Sequence, residues 1–187
     1  MAADKDAGVV GDKPPFSRIV IADDAGPARE GHIEATPAER AHLASLFRVE
    51  AVASLVFDYR LDALPSRRYR LTGEVTGELT QLCGVTLEPV AERIREDVSI
   101  EYWPARLLAR ADEGQPGPED PLENDPPEPL IDGKIDLGHL AAEVFASAIN
   151  PYPRKEGVDF AWEDPEAQGG QGDSHPFAGL AKLKNKT

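Results

Sequence analysis

The chain of 187 residues has a single cysteine, Cys83, and only 6% aromatic residues. One thiol cannot close an intramolecular disulfide, and it cannot build a thiolate zinc site by itself. No stretch approaches the ~20 apolar residues that a membrane-spanning helix needs, and the polar first residues lack the apolar run of a signal peptide. We therefore expect a cytoplasmic protein with a modest core and no membrane partner.

The common motifs of nucleotide-binding and hydrolytic sites are also missing. The chain contains no P-loop, no GxGxxG, no HExxH and no GxSxG. Pairs of acids such as Glu96 and Asp97 carry little information, because the chain has 34 Asp and Glu residues in all. We therefore predict that the protein is not an enzyme, with no catalytic residues, no cofactor, no metal and no small-molecule substrate.

Positive charge is scarce, and the formal net charge is −14. Residues 1–110 account for −4 of this charge and residues 111–187 for −10. An acidic chain repels a phosphate backbone, so naked nucleic acid is a poor long-range partner and a basic protein surface is a good one.

Proline occurs 17 times, well above its average usage in globular proteins. Residues 111–128 contain seven acids, five prolines and no base, a composition that predicts a disordered acidic loop. We divide the chain into a flexible leader at 1–14, a single domain at 15–160 that includes this loop, and a flexible tail at 161–187 with a short C-terminal helix.

Two helices have clear start signals. Thr36, Pro37 and Glu39 form an N-cap, a first helical residue and a capping-box partner, which predicts a helix at 37–48. Asp136 caps the second helix, predicted at 137–149, where apolar residues recur at i, i+3, i+4 and i+7 along one face.

Strand patterns fill most of the chain between these helices. We predict strands at 16–22, at 49–59 continuing into Arg60 and Leu61, at 69–79 with two glycines that indicate a bend or a close approach, and at 94–103. Shorter strands are predicted at Val85 and Leu87, interrupted by Pro89, and at 129–135. Successive strands without helices between them imply antiparallel pairing. The expected fold is α+β, with an antiparallel sheet of about five to seven strands packed by two main helices.

Two groups of arginines are candidates for binding RNA or a partner. Arg67, Arg68 and Arg70 flank the start of one predicted strand, and Arg93 and Arg95 open another. Such residues commonly protect edge strands and keep a protein soluble. A local phosphate-binding patch is the alternative, and the overall acidity does not exclude it.

The tail offers a third candidate. A short amphipathic helix is predicted there, with Phe177, Leu180 and Leu183 on one side and lysines Lys182, Lys184 and Lys186 near its end. A helix this short is unstable alone, so it either folds back on the domain or docks on a partner or RNA. We expect it to dock on a partner.

The order of several segments resembles the YceD family of large ribosomal RNA subunit accumulation proteins, and in particular its alphaproteobacterial members. The resemblance rests on 16–21 with 34–44, on QLCGVTLEPV within 71–90, on IDLGHLAAEVFASAINPYPR at 135–154 and on the tail HPFAGLAKLK. Its motif residues are Cys83, Thr86, Leu87, Glu88, Pro89, Asp136 and Leu137. Many family members have a second cysteine at the position of Thr86, so we carry no metal function over to this chain.

The resemblance implies a role in the accumulation or processing of large-subunit (23S) ribosomal RNA, with ribosomal proteins or pre-large-subunit rRNA particles as partners. We expect a non-enzymatic assembly factor that binds a ribosomal protein or an rRNA–protein intermediate. The alternatives are a direct RNA-binding module that uses the arginines and, less in keeping with the sequence, an RNA-processing hydrolase.

Overall fold

A computed structural model describes residues 15–112 and 126–159 of the chain. In these ranges seven strands form two sheets. The larger has the order β2-β3-β4-β5-β6 and the smaller pairs β1 with β7. The strands are β1 Ile19–Ile21, β2 Ala28–Glu34, β3 Ala51–Leu64, β4 Arg68–Leu82, β5 Pro89–Pro104, β6 Glu128–Leu130 and β7 Lys134–Asp136.

The helices are α1 Pro37–Phe47, α2 Ala105–Asp112 and α3 Leu137–Ala148. The capping box predicted for α1 is present, with the Thr36 backbone N–H donating to Glu39 Oε2 (2.8 Å) and the Glu39 N–H donating to Thr36 Oγ1 (3.3 Å). Arg18 adds a salt bridge to Glu39 at 2.7 Å. The pKa of Glu39 is lowered to about 2, mainly by the hydrogen bond from Arg18, although burial acts to raise this pKa.

Helices α1 and α3 cover the same face of the larger sheet. Phe47 of α1 and Phe145 of α3 meet with ring centroids 6.2 Å apart, and Leu43 and Phe145 are completely buried. The sheet contributes alternate residues of β3 and β4, such as Phe57 and Val75, to the same core. Burial on one face only follows from the period-two pattern of these strands, and it leaves the opposite face to polar residues.

The predicted α+β fold with a mainly antiparallel sheet is confirmed. All strand pairs of the larger sheet are antiparallel except β5 and β6, which run parallel. The long hairpin of β3 and β4 closes at Ser66 and Arg67, both of which have a positive φ (68° and 60°). Two left-handed residues at a hairpin tip match the right-handed twist of the flanking strands.

Several element predictions were wrong in detail. Strand β2 was not predicted, because its residues AREGHIE show no apolar alternation and its place at the sheet edge leaves most of them exposed. Residues 83–88 form a turn rather than a strand, and β5 instead runs unbroken from Pro89, where the missing N–H is tolerated at a strand's first residue. The short strand predicted at 129–135 is two strands separated by a turn, because Gly133 adopts a positive φ of 69°.

The structure places the edges of the predicted acidic loop in regular elements. Residues 111 and 112 end α2, a helix that was not predicted, and Glu128 begins β6. Residues 113–125 of that loop, the leader at 1–14 and the tail residues Phe177, Leu180, Lys182, Leu183 and Lys184 lie outside the described residues. Among the helices of the described ranges, none is long and apolar enough to cross a membrane.

Candidate partner-binding face

The face of the larger sheet opposite α1 and α3 collects most of the arginines that the sequence singled out. In the antiparallel register, Thr72 of β4 lies opposite Arg60 of β3 and Ser99 of β5, so one alternating set of residues from each strand shares this face. We call it the arginine–carboxylate face. Its charged members on β2 to β5 are Glu30, Glu34, Asp58, Arg60, Asp62, Arg68, Arg70, Glu74, Glu78, Arg93, Arg95, Asp97 and Glu101.

Three of the predicted arginines are held by carboxylates of the neighbouring strand. Arg70 contacts Glu101 at 2.6 Å. Two further pairs join β4 and β5: Arg93 lies 2.8 Å from Glu78, and Arg95 lies 2.6 Å from Glu74. Opposite charges on adjacent strands are the sheet's counterpart of helical i, i+4 pairs, and here they form a ladder across the middle of the face.

Arg67 and Arg68 lie at the tip of the β3–β4 hairpin, and only Arg68 belongs to the face. The Arg68 guanidinium carbon sits 5.3 Å above the ring centroid of Trp103, a cation–π arrangement. Arg67 instead turns to the start of the chain and pairs with Asp23, which also accepts a hydrogen bond from the Tyr69 hydroxyl at 2.5 Å. The hydrogen bonds from Tyr69 and Arg67 lower the pKa of Asp23, and the bond from Tyr69 has the larger effect. Arg67 therefore does not belong to the face.

The predicted residues do not form one basic patch. Arg95 lies opposite Thr76, six residues along β4 from Arg70, which separates the two groups by about 20 Å at the usual rise of a strand. On the whole face eight carboxylates outnumber five arginines. The face therefore has an excess of negative charge, although it presents exposed guanidinium groups at several points.

A shallow groove of about 380 Å³ crosses the face beside the second group. Its lining includes Ser54, Thr76, Arg93 and Arg95. The side chains of Arg93 and Arg95 are 86% and 78% exposed, and ion pairs this exposed contribute only about 0–1 kcal/mol. Both arginines can therefore exchange their carboxylates for groups of a partner at little cost.

The sequence did not identify the acidic half of this face, or Arg60. Arg60 contacts Glu30 at 2.6 Å and Asp62 at 3.0 Å. The usable signal was the alternation of β4, which puts Arg70, Glu74 and Glu78 on one side. The partners on β3 and β5 could not be assigned without the strand register.

The motif residues around Cys83 form a tight turn between β4 and β5. The Cys83 N–H donates to the carbonyl of Glu88 (2.8 Å), and the Leu87 N–H donates to the carbonyl of Cys83 (2.9 Å). Leu87 has a positive φ of 58° and is 70% exposed. Lys155 binds Glu88 at 2.9 Å and ties the segment after α3 to this turn.

The Cys83 thiol is completely buried inside this turn. Its sulfur accepts hydrogen bonds from the backbone N–H groups of Thr86 and Lys155, both at 3.5 Å. The pKa of Cys83 is lowered to about 6, first by the Thr86 side chain and then by backbone donors, with burial opposing them. With no exposed surface, this thiol organises the turn.

We expect Cys83→Ser to leave biological function intact. The hydroxyl can accept the same hydrogen bonds, although it fits the apolar surroundings less well and costs about 1–3 kcal/mol of stability. Urea unfolding and complementation of a deletion strain measure the two effects. Loss of function in a variant that is still folded would contradict this reading, and Cys83→Ala serves as the control that removes the acceptor altogether.

The other motif residues join β1, β7 and α3. Asp136 caps α3 by accepting from the N–H groups of Gly138 and His139, at 3.2 and 3.1 Å. Its carboxylate also accepts from the Ser17 hydroxyl (2.6 Å) and the Arg18 N–H (2.8 Å). Leu137 is completely buried beside it. These motif residues therefore have a structural role in the described part of the chain.

Comparison with known proteins places the chain in a family. No curated protein and no solved structure matches it, and residues 15–112 and 126–159 contain no cluster of three His, Cys, Asp or Glu side chains suited to a metal ion. A family model described as large ribosomal RNA subunit accumulation protein YceD matches residues 71–184, which is more than half of the chain. The chain therefore belongs to the YceD family of large ribosomal RNA subunit accumulation proteins.

Proposed function

We propose that the protein promotes the accumulation of large-subunit ribosomal RNA by binding a basic ribosomal protein, alone or in an rRNA–protein intermediate, through the arginine–carboxylate face. The family assignment supplies the link to large-subunit rRNA. The observation that favours a protein partner is the excess of carboxylates on this face, eight against five arginines. An acidic surface attracts basic proteins and repels phosphate at a distance.

The arrangement of the face also suits protein recognition. Its ion pairs cross between strands in an open, exposed setting, as the 2.6 Å contact of Arg95 with Glu74 shows. A basic partner can insert Lys or Arg side chains beside Glu74 and Glu78, while the displaced arginines bind carboxylates or carbonyls of the same partner. Such an exchange conserves charge pairing, so its main effects are on specificity and on the association rate.

Direct RNA binding is the second candidate function, and the groove beside Arg93 and Arg95 favours it. Two exposed guanidinium groups next to the hydroxyls of Ser54 and Thr76 are donors that can bind a phosphate. Binding in this mode requires the two carboxylates Glu74 and Glu78 to release their arginines.

The two candidates are separated by a pair of charge-neutralising variants of the full chain. We expect Glu74→Gln/Glu78→Gln to weaken binding to purified large-subunit ribosomal proteins about tenfold at low salt, because two favourable charges are lost. Arg93→Gln/Arg95→Gln should change this binding less than threefold. Fluorescence anisotropy over a salt series, with deproteinised 23S rRNA as the second ligand, measures both.

Glu143→Gln is the matched control, because Glu143 is an exposed carboxylate of α3, with Oε1 3.4 Å from His139 Nε2, and lies outside the face. Tight binding of naked 23S rRNA with a steep negative salt slope, abolished by Arg93→Gln/Arg95→Gln, would reject the protein partner and establish the RNA candidate.

A further inference from the structure

Among the described residues, the edges of β1 and β2 each have an unpaired side near the start of the domain. Within the described residues, β2 ends the larger sheet, and β1 pairs with β7 on one side only. A cleft of about 520 Å³ lies between these edges, lined by residues 17–20 of the β1 segment, residues 29–33 of β2 and Tyr59 of β3. This volume falls within the range of about 300–1,000 Å³ typical of ligand sites.

The hydrogen-bond pattern shows which backbone groups of β2 are free for a ligand. The Ala35 N–H donates to the Leu55 carbonyl at 3.0 Å, so odd-numbered residues of this antiparallel ladder bond to β3. Alternation then directs the N–H and C=O groups of Glu30 and His32 away from β3. Both residues line the cleft, and they offer it a row of alternating backbone donors and acceptors.

The same argument applies to the opposite wall. The Ala22 N–H donates to the Gly133 carbonyl at 2.8 Å, so even-numbered residues of β1 bond to β7. The backbone groups of Ile19 and Ile21 therefore point away from β7, and Ile19 lines the cleft. Their side chains are also 61% and 47% exposed, which adds apolar surface at the cleft's edge.

Side chains shape the cleft for an extended ligand with an acidic group. A Cβ on Gly31 would lie 2.4 Å from the Tyr59 hydroxyl oxygen, so the Tyr59 ring packs flat against the bare backbone of β2. Arg29 is exposed and makes no ion pair within the described ranges. The other Arg, Glu and His residues of the walls have polar partners: Arg18 contacts Glu39, Glu30 contacts Arg60, and His32 Nδ1 lies within hydrogen-bond distance of Asp58.

We propose that this cleft binds one extended peptide segment of a partner protein, which adds a strand to β2 and places a carboxylate against Arg29. Strand addition draws affinity from main-chain hydrogen bonds and specificity from the side chains that flank the edge. Charged residues along β2 discourage indiscriminate edge pairing, and the β1 wall restricts access to a single strand. The site shares Glu30 with the arginine–carboxylate face, but it uses the outward backbone groups of the β2 edge, and the proposal does not depend on the function assigned to that face.

A synthetic peptide tests the proposal on the full ¹⁵N-labelled chain. The probe is acetylated and amidated Ser-Val-Asp-Val-Asp-Ser, and amide hydrogen exchange is followed by NMR. Saturating peptide should slow exchange at Glu30, His32 and Ile19 at least tenfold, whereas the amides of Gly31 and Ile33, already bonded to β3, should be unchanged. A lack of protection at millimolar peptide, or protection spread over the domain, would overturn the proposal.

Matched variants identify the backbone contact and the charge contact. Glu30→Pro and Glu30→Ala both remove the Glu30 side chain, but only proline also removes the outward N–H. We therefore expect Glu30→Pro to weaken binding at least tenfold and Glu30→Ala to stay within twofold. Replacing Asp by Lys in the probe should weaken binding about fivefold, and Arg29→Glu should reverse that preference. Equal effects of the two Glu30 variants would reject strand addition. Should Glu30→Pro lower the melting temperature, a probe with N-methylated valines tests the same hydrogen bonds and must lose affinity.

Discussion

Gly73→Ala is expected to destabilise the domain by about 3 kcal/mol or more. A Cβ on Gly73 would lie 2.2 Å from the Asp58 carbonyl oxygen and 2.9 Å from the Tyr59 Cα. Both are backbone atoms of β3, so the clash is relieved only by separating two strands that are paired over most of their length. Overpacking of a well-packed interior typically costs about 1–3 kcal/mol, and more where backbone must move.

Urea unfolding measures this effect, and Thr72→Ala is its control. Thr72 is the neighbour of Gly73 on β4, but its side chain lies on the opposite face of the sheet, where substitution changes stability by about 0.5 kcal/mol or less. Gly77 provides a comparison in the same strand, since a Cβ there would meet the Ser54 carbonyl at 2.5 Å and the Phe145 ring at 2.6 Å. A Gly73→Ala variant as stable as the parent protein would show that β3 and β4 are less closely packed than described.

Asp136→Ala is expected to cost about 3 kcal/mol, because one carboxylate serves both β1 and α3. Loss of an N-cap alone costs about 0.5–2 kcal/mol. Here the Arg18 N–H and the Ser17 hydroxyl also lose their acceptor in a partly buried site, and an unsatisfied donor adds about 1–3 kcal/mol. Asp136→Asn keeps an oxygen acceptor in place but removes the negative charge, and it should cost about 1 kcal/mol. Comparison with Asp136→Ala therefore separates the contribution of the hydrogen bonds from that of the charge.

The pH dependence of these variants gives a second readout. Burial raises the pKa of Asp136, but hydrogen bonds from Ser17 and Arg18 outweigh it and leave the pKa below the ordinary value of 3.8. A carboxylate whose pKa is depressed in the folded state stabilises that state above pH 3.8. This stabilisation is lost as the pH falls through the pKa of the folded state. The stability difference between the parent protein and Asp136→Ala should therefore shrink on acidification below about pH 4. A difference that is constant from pH 7 to 3 would contradict the charged capping role.

The sequence alone determined the parts of this protein that rest on local chemistry. The capping box of Thr36 and Glu39, the Asp136 cap and the alternation of β4 each depend on residues close together in the chain, so α1, α3, β4 and the α+β class were predictable. The motif segments, which are also local, were sufficient for the family. Composition likewise indicated an acidic protein whose charge favours basic partners.

Only the tertiary structure determined which strands pair and which charged side chains meet across them. Strand β2 forms because β3 supplies its hydrogen bonds, and nothing within AREGHIE marks a strand. The sequence left Arg70, Arg93 and Arg95 open between edge protection and a phosphate-binding patch, and the register of β4 with β5 places them in cross-strand ion pairs with Glu101, Glu78 and Glu74. The cleft between β1 and β2 likewise depends on which edges stay unpaired, a property of the whole sheet. Long-range pairing is set by packing and chain closure, which no local pattern encodes, and it is this pairing that forms the surfaces available to a partner.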